Sequence, residues 1–155
     1  MRSNSWCGAA ALICLSTLLC AGCGDGVHRV AITGVVSADG KPVDGAVVQL
    51  LPKGDTSGDG GLGATDSEGK FTVISSRQEH SGIPPGTYTV LVSRLVDQQG
   101  KLLPEGAGQA EYPDGFDSIP RPYNTPNSPL EITVTDAGGH FDVEIPEPLR
   151  TSPGR

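Results

Sequence analysis

Oxygen-bearing side chains recur in the glycine-rich segment 55–66 at a spacing that could bind a hard cation. Its first, third, fifth and twelfth positions carry the oxygen donors Asp55, Ser57, Asp59 and Asp66. Calcium takes about six to eight oxygen ligands, so this spacing favours a calcium loop as one hypothesis. However, the twelfth residue is Asp in place of a bidentate Glu, and no helical periodicity flanks the segment. A solvated acidic connector between strands is the alternative interpretation.

The three histidines, His28, His80 and His140, show neither metal-ligand nor catalytic spacing. A zinc enzyme would place two histidines at a short, regular spacing, and many hydrolases carry a nucleophile elbow. Neither pattern occurs in the sequence. His140 alternates with apolar residues in a segment typical of a strand, which indicates a solvated side chain on its outward face. The sequence therefore predicts no catalytic residue, and an enzyme is the last alternative.

The first 22 residues have the organisation of an export signal. Arg2 supplies a positive charge, and the apolar run 9–21 is too short to cross a bilayer as a helix. The run leads into residues 19–23, Leu-Cys-Ala-Gly-Cys, which resemble the lipobox of bacterial lipoproteins. The resemblance implies cleavage after Gly22 and a thioether-linked diacylglycerol on Cys23. Ordinary secretion with cleavage nearby, or an uncleaved anchor, is the alternative.

The cysteine pattern agrees with lipidation. Cys7, Cys14 and Cys20 lie within the predicted signal peptide, so the mature chain would keep only Cys23. One cysteine cannot form an intrachain disulfide, and the exported domain would depend on its core alone. Each buried methylene contributes about 0.8 kcal/mol, so several acyl chains anchor a protein firmly. We therefore expect an exported protein held at the cell membrane or the outer membrane, with residues 23–29 as a lipidated linker.

Composition limits the rest of the chain to one acidic domain. The chain has 155 residues and a net charge of −7, which leaves no basic surface for nucleic acid. Its 22 glycines and 13 prolines recur between apolar alternations, a pattern typical of short strands joined by tight turns. We predict one all-β domain over residues 30–146, followed by a flexible tail at 147–155.

Period-two alternation of apolar residues predicts the strands. They are residues 30–36, 46–51, 70–74, 87–92, 130–134 and 141–145. A glycine-rich loop is predicted at residues 53–64, after the second strand. The last two strands are separated by Asp-Ala-Gly-Gly at 136–139, which predicts a hairpin.

Four turn and strand motifs follow one another along the domain. They are Gly-Val-Val at 34–36, Asp-Gly-Lys-Pro-Val-Asp-Gly-Ala-Val-Val at 39–48, Thr-Asp-Ser-Glu-Gly-Lys-Phe at 65–71 and Pro-Gly-Thr-Tyr-Thr-Val at 85–90. In this order they resemble the carboxypeptidase regulatory-like family, and residues 123–134 are similar to the ending of small lipoproteins with this domain in planctomycete-type bacteria. The resemblance implies a transthyretin-like, Ig-like Greek-key β-sandwich of about seven strands, used as an accessory module without a metal site.

Residues 97–129 form a connection that is long for a compact sandwich, and such connections often bind ligands. Tyr112, Phe116 and Tyr123 lie in it among acidic residues and Arg121. This mixture could present aromatic platforms to a polysaccharide or an envelope protein. The alternative is that the three aromatic side chains pack the loop onto the sheet.

Together these patterns predict a non-catalytic interaction or structural module whose first partner is a membrane, through the lipid anchor. A polysaccharide- or peptide-binding module that uses the 97–129 loop is the first alternative. A calcium-stabilised domain is the second. No other cofactor and no nucleic-acid partner are expected.

Overall fold

The computed structural model describes residues 26–77, 80–104, 106 and 111–153. Within this part the chain is all-β, with eleven strands and no helix. Accordingly, the described residues contain no helix long and apolar enough to span a membrane. The predicted all-β fold is confirmed, whereas the predicted signal peptide at 1–22 and the lipid site at Cys23 lie outside the described residues.

The strands are short and follow one another closely. In chain order they are β1 (Ile32–Ala38), β2 (Lys41–Pro42), β3 (Val47–Pro52), β4 (Gly61–Ala64), β5 (Lys70–Thr72), β6 (Ile74–Ser75), β7 (Gly86–Ser93), β8 (Leu95–Val96), β9 (Phe116–Asp117), β10 (Glu131–Val134) and β11 (Gly139–Ile145). Strands β2, β6, β8 and β9 have only two residues each.

Nine of the eleven strands form two sheets. Sheet I contains β11, β1 and β2 side by side, and β5 also pairs with β1. Sheet II has the order β10-β7-β3-β4-β6, and β8 with β9 forms a separate ribbon. Strands β1 and β11 run parallel, from Ile32 opposite Gly139 to Ala38 opposite Ile145, and the other strand pairs are antiparallel.

One apolar core lies between sheet I and sheet II, as expected for a β-sandwich. Alternate residues of β1 turn inward, and Ile32 and Val36 are completely buried. Leu50 of β3 and Val90 of β7 face them from sheet II within the same cluster. Burial of apolar surface contributes about 25 cal/mol per Å². Because the described residues contain no cysteine, this burial and the strand ladders hold the domain together.

Strand β4 lies within the segment that the sequence analysis predicts as a loop. Its inward positions are Gly61 and Gly63, and both are buried. A Cβ at Gly61 would lie 2.4 Å from Cγ1 of Val73, and a Cβ at Gly63 would lie 2.8 Å from the carbonyl oxygen of Thr72. The neighbouring chain passes too close for a side chain, so this strand has the composition of a loop. The loop prediction is therefore wrong for residues 61–64.

The predicted hairpin of the last two strands is also wrong. Strand β10 pairs with β7, so that Ile132 lies opposite Tyr88 in sheet II. Strand β11 pairs with β1 in sheet I. Both strands alternate in the same way, and alternation does not show which sheet a strand joins. Residues 135–138 therefore connect the two sheets across one side of the sandwich.

Tyr88 anchors the beginning of β7 in the core. Its side chain is completely buried, and its phenol donates a hydrogen bond of 2.7 Å to the carbonyl oxygen of Pro84. Burial raises the pKa of Tyr88 above its ordinary value of 10.0. The hydrogen bond satisfies a polar group that would otherwise be costly to bury. A similar bond from a strand tyrosine to backbone a few residues upstream occurs in other sandwiches.

Replacement of Tyr88 by Phe should lower the free energy of unfolding by about 1–2 kcal/mol, because the Pro84 carbonyl loses its partner in the core. The folded protein holds the phenol neutral, whereas the unfolded chain releases the proton above its ordinary pKa of 10.0. Stability should therefore fall as pH rises above that value in the native protein, and this part of the fall should be absent in Tyr88→Phe. Urea unfolding at several pH values measures both effects.

The matched control is Tyr112→Phe, since Tyr112 is only half-buried. It should unfold like the native protein at neutral pH. Equal stability of Tyr88→Phe and the native protein at neutral pH would contradict the assigned hydrogen bond.

Candidate functional site

The 97–129 connection is built largely as part of the folded body. Phe116 is 7% exposed in β9, and Tyr123 is 8% exposed within the main core cluster. Ile119 between them is completely buried. These aromatic side chains therefore pack the connection onto the sandwich and do not form ligand platforms. Of the three predicted contact residues, only Tyr112 keeps a partly exposed face.

A carboxylate secures this connection to strand β7. The Oδ1 atom of Asp117 accepts hydrogen bonds from the backbone N–H groups of Arg94, at 3.0 Å, and Ile119, at 2.9 Å. Its Oδ2 atom accepts a third bond from the hydroxyl of Ser93 at 2.8 Å. Three donors on one carboxylate fix the direction in which the chain leaves β9. Asp117 thus has a structural role.

The end of the chain covers the same region. Leu149 packs against the core, and the backbone N–H of Arg150 donates to the carbonyl oxygen of Ser118 at 2.7 Å. The guanidinium carbon of Arg150 lies 6.0 Å from the centre of the Phe116 ring. The predicted flexible tail is therefore docked at Leu149 and Arg150. The alternation of β11 stops before this segment, so periodicity gave no indication of its packing.

A polar groove surrounds Tyr112 and is the best candidate site within the predicted loop. Its volume is about 310 Å³. The groove is lined by Asp97, Gln98, Gln99, Glu111, Tyr112, Pro113, Asp114 and Gly115. A turn shapes one wall, because Oδ1 of Asp97 accepts backbone hydrogen bonds from Gln99 and Lys101, each at 2.9 Å. Carboxylates and amides beside an aromatic ring can bind a ligand rich in hydroxyl groups.

The four predicted calcium ligands do not converge. Asp55 and Ser57 lie in the turn after β3, and Asp59 forms an ion pair with Arg77 at 2.6 Å. Asp66 lies beyond the other end of β4, where its Oδ1 accepts hydrogen bonds from the N–H groups of Glu68, in the turn before β5, and Lys70, at the start of β5. Strand β4 separates the acidic groups that a compact loop would have brought together. No group of three or more metal-binding residues occurs within the described ranges.

An apolar groove of about 290 Å³ that the sequence did not predict lies at the end of β7. Val47 and Leu95 are 46% and 42% exposed beside it. Leu102 and Leu103 form its other wall and lie in the 97–129 connection. A Cβ at Gly45, just before β3, would lie 2.3 Å from Cδ1 of Leu102, and a bridge to Val96 in β8 holds Leu102 in this position. A two-residue strand gives no detectable alternation, so this contact could not be predicted.

His140 lies on the exposed face of sheet I, as predicted. Its Nδ1 atom is 3.2 Å from the hydroxyl of Thr33, and its Nε2 atom is 3.3 Å from Oδ1 of Asp142. In a hydrolase triad the carboxylate orients Nδ1 and the nucleophile meets Nε2, which is the reverse of this arrangement. The side chains of His140 and Asp142 are 56% and 82% exposed, so solvent screens their interaction. The three groups do not form a nucleophilic site.

The fold and these surfaces define an all-β module with a polar groove and an apolar groove outside its core. Comparisons with protein-family models, curated proteins and solved structures found no match.

Removal of the Asp117 carboxylate should loosen the connection between β9 and the core. Asp117→Ala should lower the free energy of unfolding by about 2–4 kcal/mol, because two backbone N–H groups and one hydroxyl lose their acceptor. Asp117→Asn is the matched control, since its amide oxygen still accepts from Arg94 and Ile119. The free energy of unfolding of Asp117→Asn should fall by less than half of the fall expected for Asp117→Ala. Equal stability of Asp117→Ala and the native protein in urea unfolding would contradict this role.

Proposed function

We propose that the protein is an exported, membrane-anchored lipoprotein whose sandwich serves as a non-catalytic interaction or structural module of the carboxypeptidase regulatory-like kind. The observation that carries the proposal is the sequence Leu-Cys-Ala-Gly-Cys at residues 19–23, after an apolar run that begins at residue 9. Lipidation of Cys23 gives a use to the only cysteine that the mature chain would retain. The acidic net charge of −7 suits a module whose membrane attachment does not depend on basic residues.

The position of β1 supports an anchor close to the folded body. Six residues, 24–29, separate Cys23 from Val30. Val30 is held by two backbone hydrogen bonds with Ile83, at 2.9 and 3.2 Å. Six residues span at most about 20 Å, so a lipid on Cys23 would keep this end of the sandwich near the membrane surface.

Mass spectrometry of the mature protein tests the anchor. The expected N-terminal residue is Cys23, carrying the mass of a diacylglyceryl group. Cys23→Ser should abolish this modification and prevent release of the signal peptide by the lipoprotein route. Cys14→Ala, which changes only the apolar run, should be lipidated like the native protein. An unmodified mature chain that begins elsewhere would contradict the proposal.

The groove around Tyr112 favours a second candidate function, the binding of a polysaccharide at the 97–129 connection. Its ring lies beside carboxylates and amides in a recess of about 310 Å³. Sugar rings combine apolar faces with hydroxyl groups, and an aromatic face with hydrogen-bonding neighbours is complementary to them. This candidate adds a ligand to the anchored module and is tested separately from the anchor.

Tyr112→Ala should weaken polysaccharide binding about tenfold if the ring stacks on a sugar, since aromatic contacts contribute about 0.5–1.5 kcal/mol beyond their area. Tyr112→Phe keeps the ring and should retain most of the affinity. Affinity electrophoresis against purified envelope polysaccharides measures both variants. Equal retardation of the native protein and Tyr112→Ala would exclude this groove as the binding site.

A further inference from the structure

Strand β11 forms one border of sheet I. It has seven residues and pairs with β1 along its whole length, from Gly139 to Ile145. No other strand of the described residues pairs with it. The opposite border of β1 is occupied by β2 and β5. Strand β11 is therefore a long edge strand, and its one neighbour, β1, is paired on both sides.

The hydrogen bonds show which backbone groups of β11 face this edge. Gly139 donates its N–H to the carbonyl oxygen of Ala31 at 3.2 Å, and the carbonyl oxygen of Ile145 accepts from Asp39 at 2.9 Å. In a parallel ladder, alternate residues direct both backbone groups to the same neighbour. The odd-numbered residues of β11 therefore bond to β1. The N–H and C=O groups of His140, Asp142 and Glu144 point away from it.

The pairing of β1 supports this assignment independently. Val36 donates its N–H to Gly69 and accepts at its carbonyl from Val43, and both bonds lie on the side away from β11. Ile32 likewise accepts from Val73 on that side. The even-numbered residues of β1 thus serve its other neighbours, as the parallel register with β11 requires.

The free edge is acidic. Asp142 and Glu144 are exposed on its outward face, and Asp136 and Glu147 lie just before and after the strand. The lysines of sheet I, at positions 41 and 70, lie in β2 and β5 on the far side of β1. Below this edge, the side chain of Phe141 is only half-buried although it points toward the core. A strand added at this edge would form charge contacts with Asp142 and Glu144 on the outward face and an apolar contact with Phe141 on the face toward the core.

We propose that the free edge of β11 binds an extended basic segment of a partner protein as an additional strand of sheet I. Backbone hydrogen bonds to His140, Asp142 and Glu144 supply the pairing, as in other cases of strand addition. Lysine or arginine at alternate positions lies opposite Asp142 and Glu144, and apolar residues between them cover Phe141. This inference names a partner class for the proposed interaction module, but it does not depend on lipidation.

The same geometry disfavours a second copy of this chain as the occupant. Antiparallel pairing of two β11 edges about their midpoint would place the two Asp142 side chains opposite each other. Like charges directly opposite destabilise a strand pair. Each copy also carries a net charge of −7. A basic segment relieves this repulsion, which is why the partner is assigned as a different chain.

The test uses the full chain purified in detergent and a fluorescent seven-residue peptide of alternating lysine and valine. Two variants separate backbone pairing from charge. Asp142→Pro removes both the carboxylate and the outward N–H, without removing a hydrogen bond to β1. Asp142→Asn removes only the charge. Fluorescence anisotropy should show a loss of at least about tenfold in affinity for Asp142→Pro and a smaller loss for Asp142→Asn.

A modified peptide gives a second readout that needs no protein variant. Methylation of alternate backbone nitrogens on the pairing side should abolish binding to the native protein, whereas methylation on the opposite side should not. This result keeps the proposal testable if Asp142→Pro fails to fold. Equal binding of both methylated peptides would show attraction by charge alone and overturn the proposal. A concentration-dependent dimer that Asp142→Pro abolishes would overturn it in favour of a second copy.

Lipidation at Cys23 and strand addition at β11 are tested by separate measurements. Absence of the diacylglyceryl group on Cys23 removes the anchor but leaves peptide binding to β11 unchanged. Loss of peptide binding with normal lipidation removes the strand-addition proposal alone.

Discussion

Sheet I and sheet II pack so closely that some inward positions have room only for glycine, and every other feature of the fold is built on this contact. At Gly63 in β4 of sheet II, a Cβ would lie 2.8 Å from the carbonyl oxygen of Thr72 and 3.3 Å from the ring of Phe71, and both residues belong to β5 of sheet I. Gly61 in β4 meets a similar limit. The described chain contains no cysteine, so dense packing takes the place of cross-links. Each candidate surface lies outside this core and is positioned by it.

The surfaces follow from how the chain leaves the two sheets. After β7, the connection is held by Asp117 and by buried aromatic residues, which leaves Tyr112 at its rim and the leucine groove beside Val47. After β10, the chain crosses to sheet I and ends that sheet with β11. The connection from β10 to β11 thus leaves β11 with a long free edge, and the packed 97–129 connection forms the groove around Tyr112 and the leucine groove. The edge suits binding by backbone pairing, and the grooves suit binding by shape.

The sequence predicted the strands with clear alternation, because burial of one face imposes a period of two on β1, β3, β7, β10 and β11. It did not predict β4, because close packing leaves room only for glycine at the inward positions 61 and 63, and the strand therefore lacks apolar alternation. The sequence also did not predict which sheet β10 and β11 join, because the alternation of a strand does not depend on its pairing partner. Tyr112 was identified by residue type, but the burial of Phe116 and Tyr123 required the fold. The four acidic and hydroxyl residues of 55–66 match the spacing of a calcium loop in the sequence. In the fold, β4 separates Asp66 from the other three.

Hydrogen exchange of the backbone amides shows directly whether two tightly packed sheets support every surface of the molecule. The amides of β1, β3 and β7, which are paired on both sides, should exchange only through global unfolding. The outward amides of His140, Asp142 and Glu144 in β11 should exchange much faster than the inward amides of the same strand. Uniformly fast exchange in β1 and β7 would show that the two sheets are not tightly packed, and equal protection along β11 would show that its outer edge is not free.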